Sequence, residues 1–110
     1  MARAGRAVLH ARLGDRADAL ADAGGALDRD RSALTCYQAA SAYLLVARTE
    51  DDRRKGLDLL REAIRNDRNG EWVKHMPTDP DLKAVRESQE FKDLMTAAGV
   101  LHPAAKTARP

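Results

Sequence analysis

Cysteine, proline and aromatic residues are scarce in this chain of 110 residues. Its single cysteine, Cys36, can form no disulfide within the chain, and it cannot build a cysteine zinc site without a partner chain. Because Cys36 lies within an apolar helical pattern, we expect a buried structural thiol. One tryptophan, one phenylalanine and two tyrosines, together with few β-branched residues, argue against a sheet protein.

Long apolar runs are also missing from the sequence. No stretch approaches the roughly 20 apolar residues of a membrane-spanning helix, and no signal-peptide segment follows the first two arginines. We therefore expect a cytoplasmic, non-membrane protein. The 19 basic and 17 acidic residues give a formal net charge of +2, and the two signs alternate along the chain. This alternation is typical of solvated helix surfaces, not of a basic stripe that binds nucleic acid.

Alanine, leucine, arginine and aspartate dominate and favour an all-α fold. Apolar residues at helical spacing predict helices at about 2–13, 16–29 and 33–48, and a fourth that follows a polar break at 49–52 and ends near Asn66. The pair Gly14-Asp15 is expected to end the first helix and to cap the second. Short helices joined by tight turns form hairpins, so the first two-thirds of the chain is predicted to be two hairpins in tandem.

The last third follows a different pattern. Asn69-Gly70 predicts a turn, and Pro77 and Pro80 exclude one long helix across the next stretch. Asp79 is expected to cap a short helix with Pro80 at its first position. A final helix is predicted to start at Ser88 and to end at Gly99, and residues 102–110 are predicted to be a disordered tail.

The chain contains an internal repeat. Residues of the second helix recur in the fourth at an offset of 37, and Ala7 of the first helix corresponds to Ser41 of the third at an offset of 34. Three extra residues therefore lie in the second hairpin's turn. The pairs at the larger offset are Ala19-Leu20 with Gly56-Leu57, Ala26-Leu27 with Ala63-Ile64, and Asp30 with Asp67.

These positions resemble a tetratricopeptide repeat. Leu13-Gly14-Asp15, followed by Ala19-Leu20, Ala26-Leu27 and Asp30, is similar to the turn and second helix of that family. The resemblance covers residues 1–67 and implies a right-handed α-solenoid with repeats at 1–31 and 32–68. Arg3 departs from the family pattern because it replaces a large aromatic residue. We therefore expect the first hairpin to be loosely packed.

Residues 70–101 resemble the closing segment of many bacterial tetratricopeptide proteins, including tails of planctomycete-type serine/threonine kinases. The resemblance implies a degenerate hairpin that caps the last full repeat. Kinase motifs are missing, since the sequence has no Gly-rich phosphate loop and no His-Arg-Asp or Asp-Phe-Gly triplet. A regulatory or structural tail separated from a kinase-like protein remains an alternative. The residues expected to cover the repeat are Trp72, Leu82, Val85, Phe91 and Leu94.

No pattern for catalysis, a cofactor or a metal emerges. The three histidines, His10, His75 and His102, lie in separate segments without the i, i+4 spacing of paired metal ligands. The acidic residues concentrate at helix breaks, where capping explains them. We therefore predict no enzyme activity and no cofactor.

A basic run at 53–55 continues at helical spacing with Arg61 and Arg65. Asp58 and Glu62 are interleaved with it, so we expect local ion pairs on a solvated helix face. Glu62 is expected to pair with Arg65, three positions later. Nucleic-acid binding is the weaker alternative.

A concave surface is the predicted functional region, because stacked hairpins present their first helices along one side. We expect Val8, Arg12, Gln38 and Leu45 to contact a peptide or helix of a protein partner there. Their neighbours Ala4, Ala11 and Ala42 either leave space for the ligand or merely allow close helix packing. Because two repeats are fewer than a solenoid usually needs, a second copy of the chain is an alternative occupant. The lysines and asparagines of a carboxylate-binding clamp are missing, since Ala4 and Val8 stand at two of those positions.

Overall fold

The computed structural model describes residues 2–101, and all regular elements in this range are helical. The predicted all-α class is therefore confirmed for these residues, while the predicted tail at 102–110 lies outside them. Among the described helices, none is both long and apolar enough to cross a membrane. The elements in chain order are α1 Arg3–Arg12, α2 Arg16–Arg29, α3 Ala33–Leu45, α4 Glu50–Asn66, 3₁₀ helices Val73–Thr78 and Pro80–Leu82, α5 Lys83–Arg86 and α6 Gln89–Leu101.

The turn between α1 and α2 is a Schellman motif. Gly14 adopts a positive φ of 82°, its N–H bonds to the Ala11 carbonyl, and the Asp15 N–H bonds to the His10 carbonyl. Asp15 occupies the N-cap position of α2 as predicted, but its side chain makes no capping hydrogen bond. It lies instead 3.6 Å from the Nδ1 atom of His10.

Side-chain caps fix the starts of the later helices. Ser32 accepts a hydrogen bond from the Thr35 N–H at the start of α3, and Thr49 accepts one from the Asp52 N–H at the start of α4. In the last third, Asp79 caps the short 3₁₀ helix that begins at Pro80, as predicted.

Two predicted helix ends were wrong. The third helix ends at Leu45, not near residue 48, because the Arg48 N–H bonds to the Asp52 carboxylate and so leaves the helical pattern. The last helix runs through Gly99 to Leu101. Gly99 has no positive φ, and the adjacent Ala98 is fully buried. Tertiary packing thus outweighs the roughly 1 kcal/mol that glycine costs within a helix.

The helices pack as two consecutive hairpins. α1 packs against α2, α3 packs against α4, and α3 also contacts both helices of the first hairpin. We call residues 70–101 the cap. Its short helices contact α3, and α6 contacts α4 and α5. A turn at Gly70, with a positive φ of 68°, leads into this cap as predicted.

One continuous apolar core joins the hairpins to the cap. Cys36 is fully buried within it, as expected, and burial raises the pKa of its thiol to about 11. Four of the five residues expected to cover the second repeat are buried in this core, whereas Trp72 is only partly buried. Met76, which lies in a 3₁₀ helix and was not predicted to be in the core, is also fully buried.

Candidate functional site

A groove of about 430 Å³ lies between α1, α3 and the first part of the cap. α1 supplies one wall and α3 another, and the cap closes the third side. Its lining residues are Gly5, Val8, Leu9, Arg12, Leu34, Tyr37, Gln38, Ser41, Trp72, His75, Asp79 and Asp81.

The structure brings together three of the four residues predicted to bind a partner. Val8, Arg12 and Gln38 all line the groove. Leu45 lies in a separate depression of about 250 Å³, where the ends of α1 and α3 meet. Seven residues separate Gln38 from Leu45, which is about 10 Å along a helix axis. A ligand would therefore have to extend along α3 to contact all four residues.

The small residues on the α1 and α3 faces serve helix packing. Ala4, Ala11 and Ala42 are 4, 5 and 0% exposed. Ala42 in particular cannot contact a ligand, so the alternative interpretation of these alanines as packing residues fits the structure.

The rim of the groove carries exposed apolar side chains. Leu9 and Leu34 are 45 and 39% exposed, and because both line the same groove they present large apolar side chains to water at one site. Inside the groove, the rings of Tyr37 and Trp72 meet edge to face, with centroids 6.4 Å apart and an angle of 77°. The sequence pattern predicts Trp72 in the cap core and gives no signal for the exposure of Leu9 or Leu34.

Two carboxylates of the cap reach the groove. Arg12 donates to Asp81 from Nε and Nη2, at 3.0 and 2.6 Å, and this pairing raises the pKa of Arg12. The Tyr37 hydroxyl donates to the Asp79 carboxylate at 2.6 Å. Burial, and secondarily this hydrogen bond, raise the pKa of Tyr37, so its hydroxyl stays protonated at neutral pH.

From the sequence, only capping is predicted for Asp79 and for the other acidic residues at helix breaks. The order acid, proline, acid at 79–81 is a strong local signal for a helix start. The position of Asp79 and Asp81 in the groove depends on the cap folding back onto α3, and the repeat register contains no information about that contact. No signal in the sequence distinguishes them from the other acidic residues at helix breaks.

A group of possible metal ligands also lies outside the groove. The ligand atoms of His10, Asp15 and Asp18 all lie within 4.8 Å of one another. The i, i+4 spacing of paired histidines cannot detect a group of one histidine and two aspartates, so the sequence does not predict this group. The two aspartates are exposed, and the His10 ring already lies 3.6 Å from Asp15 and 3.7 Å from Asp22. Exposed acidic clusters of this kind are common without an ion, so the prediction of no metal stays a prediction.

The basic run on α4 is held by acidic neighbours. Arg61 pairs with Asp58 at 2.8 Å, three positions earlier, and Arg53 contacts both Glu50 and Glu90. The main partner of Glu62 was not predicted, because Glu62 accepts two hydrogen bonds of 2.6 Å from Arg31, while the expected Arg65 acts on it only through its charge. Arg31 lies between the hairpins, so this pair joins them.

Comparisons of the chain with models of known families, with curated proteins and with solved structures found no match in any of the three. The function must therefore be inferred from the groove and its surroundings.

Proposed function

We propose that the chain is a cytoplasmic, non-catalytic interaction module of the tetratricopeptide type, which binds a segment of another protein in the groove. One observation carries this proposal: the groove is open, and Leu9 and Leu34 on its rim expose large apolar side chains to water. A partner's apolar side chains would remove these leucines from water, which is the main source of affinity in peptide grooves.

The repeat architecture is supported by two carboxylates at equivalent positions. Asp30, after α2, accepts hydrogen bonds from Ser32 and Thr35 at the start of α3. Asp67, after α4, accepts them from the N–H groups of residues 71–73 at the start of the cap. Each carboxylate thus ties the end of one hairpin to the next element, as expected if the cap is a degenerate third repeat.

The size and polarity of the groove suit a short extended segment. Its volume lies within the range of about 300–1,000 Å³ that is common for ligand pockets. Gln38 lies halfway along the α3 wall and offers both amide donors and a carbonyl acceptor, which match the backbone groups of a peptide. Apolar contacts at the rim would provide affinity, and Gln38 would orient the bound backbone.

The three exposed leucines allow a matched test. Peptides selected from a random display library on the full chain would be titrated by fluorescence, since Trp72 is the only tryptophan and lines the groove. Leu9→Ala combined with Leu34→Ala should weaken binding about 30-fold, from a loss of about 2 kcal/mol of apolar contact. Leu13→Ala, at a residue 72% exposed and outside the groove, should leave binding unchanged.

Selected peptides that bind equally well to both variants would show that they bind elsewhere. Sedimentation of the free chain tests whether a second copy of the chain occupies the groove instead. We expect a monomer. A dimer that dissociates when Leu9 and Leu34 are replaced would instead assign the groove to a second copy of the chain.

A further inference from the structure

The groove is lined by more acidic than basic residues. Of its charged lining residues, Asp79 and Asp81 are acidic and Arg12 is basic. The two hydrogen bonds from Arg12 use both oxygens of Asp81, so this pair is electrically neutral. Among these three charged lining residues, Asp79 is the one whose carboxylate forms no ion pair. A ligand that brings a positive charge would therefore complement the groove.

Asp79 keeps hydrogen-bonding capacity for a ligand. One of its oxygens accepts the Tyr37 hydroxyl, the other accepts the Asp81 N–H, and both donors are neutral. Arg86 lies nearby but donates to the main-chain carbonyl of Asp79 and not to its carboxylate. A carboxylate offers about four acceptor sites, so the bonds described leave about two for the forked donors of a guanidinium.

Aromatic rings lie beside this charge. Tyr37 contacts Asp79 through its hydroxyl and Trp72 through its ring, so it links the carboxylate to the indole within one groove. A cation over an aromatic face and beside a carboxylate gains from both, and tryptophan is the most favourable ring. The groove also already holds a guanidinium, because Arg12 of the chain itself pairs with the neighbouring Asp81.

We infer that the groove recognises a protein segment with an arginine between apolar residues: the guanidinium pairs with Asp79 beside Trp72, and the apolar residues contact Leu9 and Leu34. This inference rests on the proposed function, since it specifies the chemistry of a segment bound there. Arginine is favoured over lysine because only its planar fork matches a carboxylate with two parallel hydrogen bonds.

The experiment uses the display library already described and the full chain. We expect the selected peptides to be enriched in arginine next to apolar residues. In the tightest binder, arginine would be replaced by citrulline, which has nearly the same shape but no charge. This replacement should weaken binding at least about tenfold, and added salt should weaken only the arginine peptide.

The variant Asp79→Asn provides a second test, made on the protein instead of on the peptide. It should weaken the arginine peptide by a similar factor and leave the citrulline peptide unaffected, so the two changes are not additive. Asp51→Asn removes the same charge at a side chain that is 93% exposed, and it should change neither affinity. Circular dichroism checks that Asp79→Asn still folds. The citrulline comparison is made on the unchanged protein and holds even if that variant is unstable.

The outcomes separate the two proposals. Peptides that shift Trp72 fluorescence and need Leu9 and Leu34, but bind equally well with citrulline, would overturn the arginine inference and leave the proposed function standing. Selected peptides without basic residues would also overturn the arginine inference and leave the proposed function standing. A selection that yields no peptide dependent on the two leucines would overturn both.

Discussion

Gly24 and Gly56 both lie inside helices, but their surroundings differ. A Cβ atom added at Gly24 would meet nothing within 4 Å, whereas one at Gly56 would lie 2.5 Å from Cγ of Leu44. Leu44 is 3% exposed, so it cannot easily move away. The absent side chain at Gly56 therefore permits the close approach of α3 and α4.

This contrast predicts opposite effects of the same substitution. Gly24→Ala should stabilise the protein by about 0.5–1 kcal/mol through helix propensity alone. Gly56→Ala should destabilise it by about 1–2 kcal/mol, because overpacking against Leu44 exceeds that gain. Urea unfolding of the two variants measures both changes. A stabilising Gly56→Ala would mean that α3 and α4 tolerate a wider spacing.

Asp22 is expected to make the folding stability of the protein depend on pH. It is buried on α2, and hydrogen bonds from Arg6, followed by the charges of Arg6 and Arg3, lower its pKa to about 2 despite burial. Because the folded pKa lies below the ordinary value of 3.8, Asp22 contributes stability above about pH 4. This contribution is lost as the pH falls towards 2.

We therefore expect Asp22→Asn to lower the thermal midpoint at pH 7 and to lower it much less near pH 2. Asp51→Asn, at an exposed side chain, should change the midpoint little at either pH. Melting curves recorded across this range provide the measurement. If the thermal midpoints of Asp22→Asn and the unchanged protein differed by the same amount at every pH, the link between the charge of Asp22 and stability would be contradicted.

At the scale of elements, the first hairpin is packed mainly by alanine. In α1 and α2 the buried apolar residues are six alanines, Val8 and Leu27. In α3 and α4 they include Tyr37, Leu60 and several other large side chains. Each alanine removes less apolar area from water, so the first hairpin gains less stability per residue.

We predict that amide hydrogens of α1 and α2 exchange faster with solvent than those of α3 and α4. Local opening of an element is favoured when few apolar contacts oppose it. Hydrogen exchange followed by mass spectrometry would resolve the two hairpins. Equal protection would indicate that the ion pairs of Asp22 with Arg3 and Arg6 compensate for the small core.

The first four helices were predictable because their apolar residues recur at helical spacing and their ends carry Gly14, Ser32 and Thr49. The cap was less predictable. Its proline positions exclude a long helix, but the 3₁₀ helix that buries Met76 has no apolar period of its own. The extension of α6 past Gly99 depends on tertiary packing, which local propensity does not contain.

The candidate site was predictable only where the repeat determines it. Val8, Arg12 and Gln38 follow from the register of α1 and α3, and they line one groove. Asp79 and Trp72 come from a segment outside the repeat, so their approach to α3 was not readable from the sequence. Helical spacing thus predicts the two walls that α1 and α3 supply but not the wall that residues 70–101 supply.

For the whole molecule, the cap is attached by polar links as well as by the core. Arg12 joins α1 to Asp81, and Arg53 joins α4 to Glu90 on α6, with contacts of 3.0 and 3.2 Å. In each pair one side chain is more than half exposed, so solvent screens the attraction and each pair contributes modestly to stability. The continuous apolar core is therefore expected to hold the cap on the hairpins, while the pairs fix its orientation.

Phe91 tests that expectation. It lies on α6, is 3% exposed and belongs to the same core as the residues of α3 and α4. Phe91→Ala should destabilise the protein by about 3 kcal/mol, because it leaves a cavity where the cap meets the hairpins. Lys92→Ala, at the adjacent exposed residue of the same helix, should have little effect.

Circular dichroism and tryptophan fluorescence together show whether the molecule unfolds as one unit. Circular dichroism reports mainly on α1–α4, and the fluorescence of Trp72 reports on the cap and the groove. With one continuous core, both transitions should coincide and should move together in Phe91→Ala. If Trp72 became exposed while the helical signal persisted, the cap would be a separate unit. The groove, which needs the cap for its third side, would then open before the hairpins unfold.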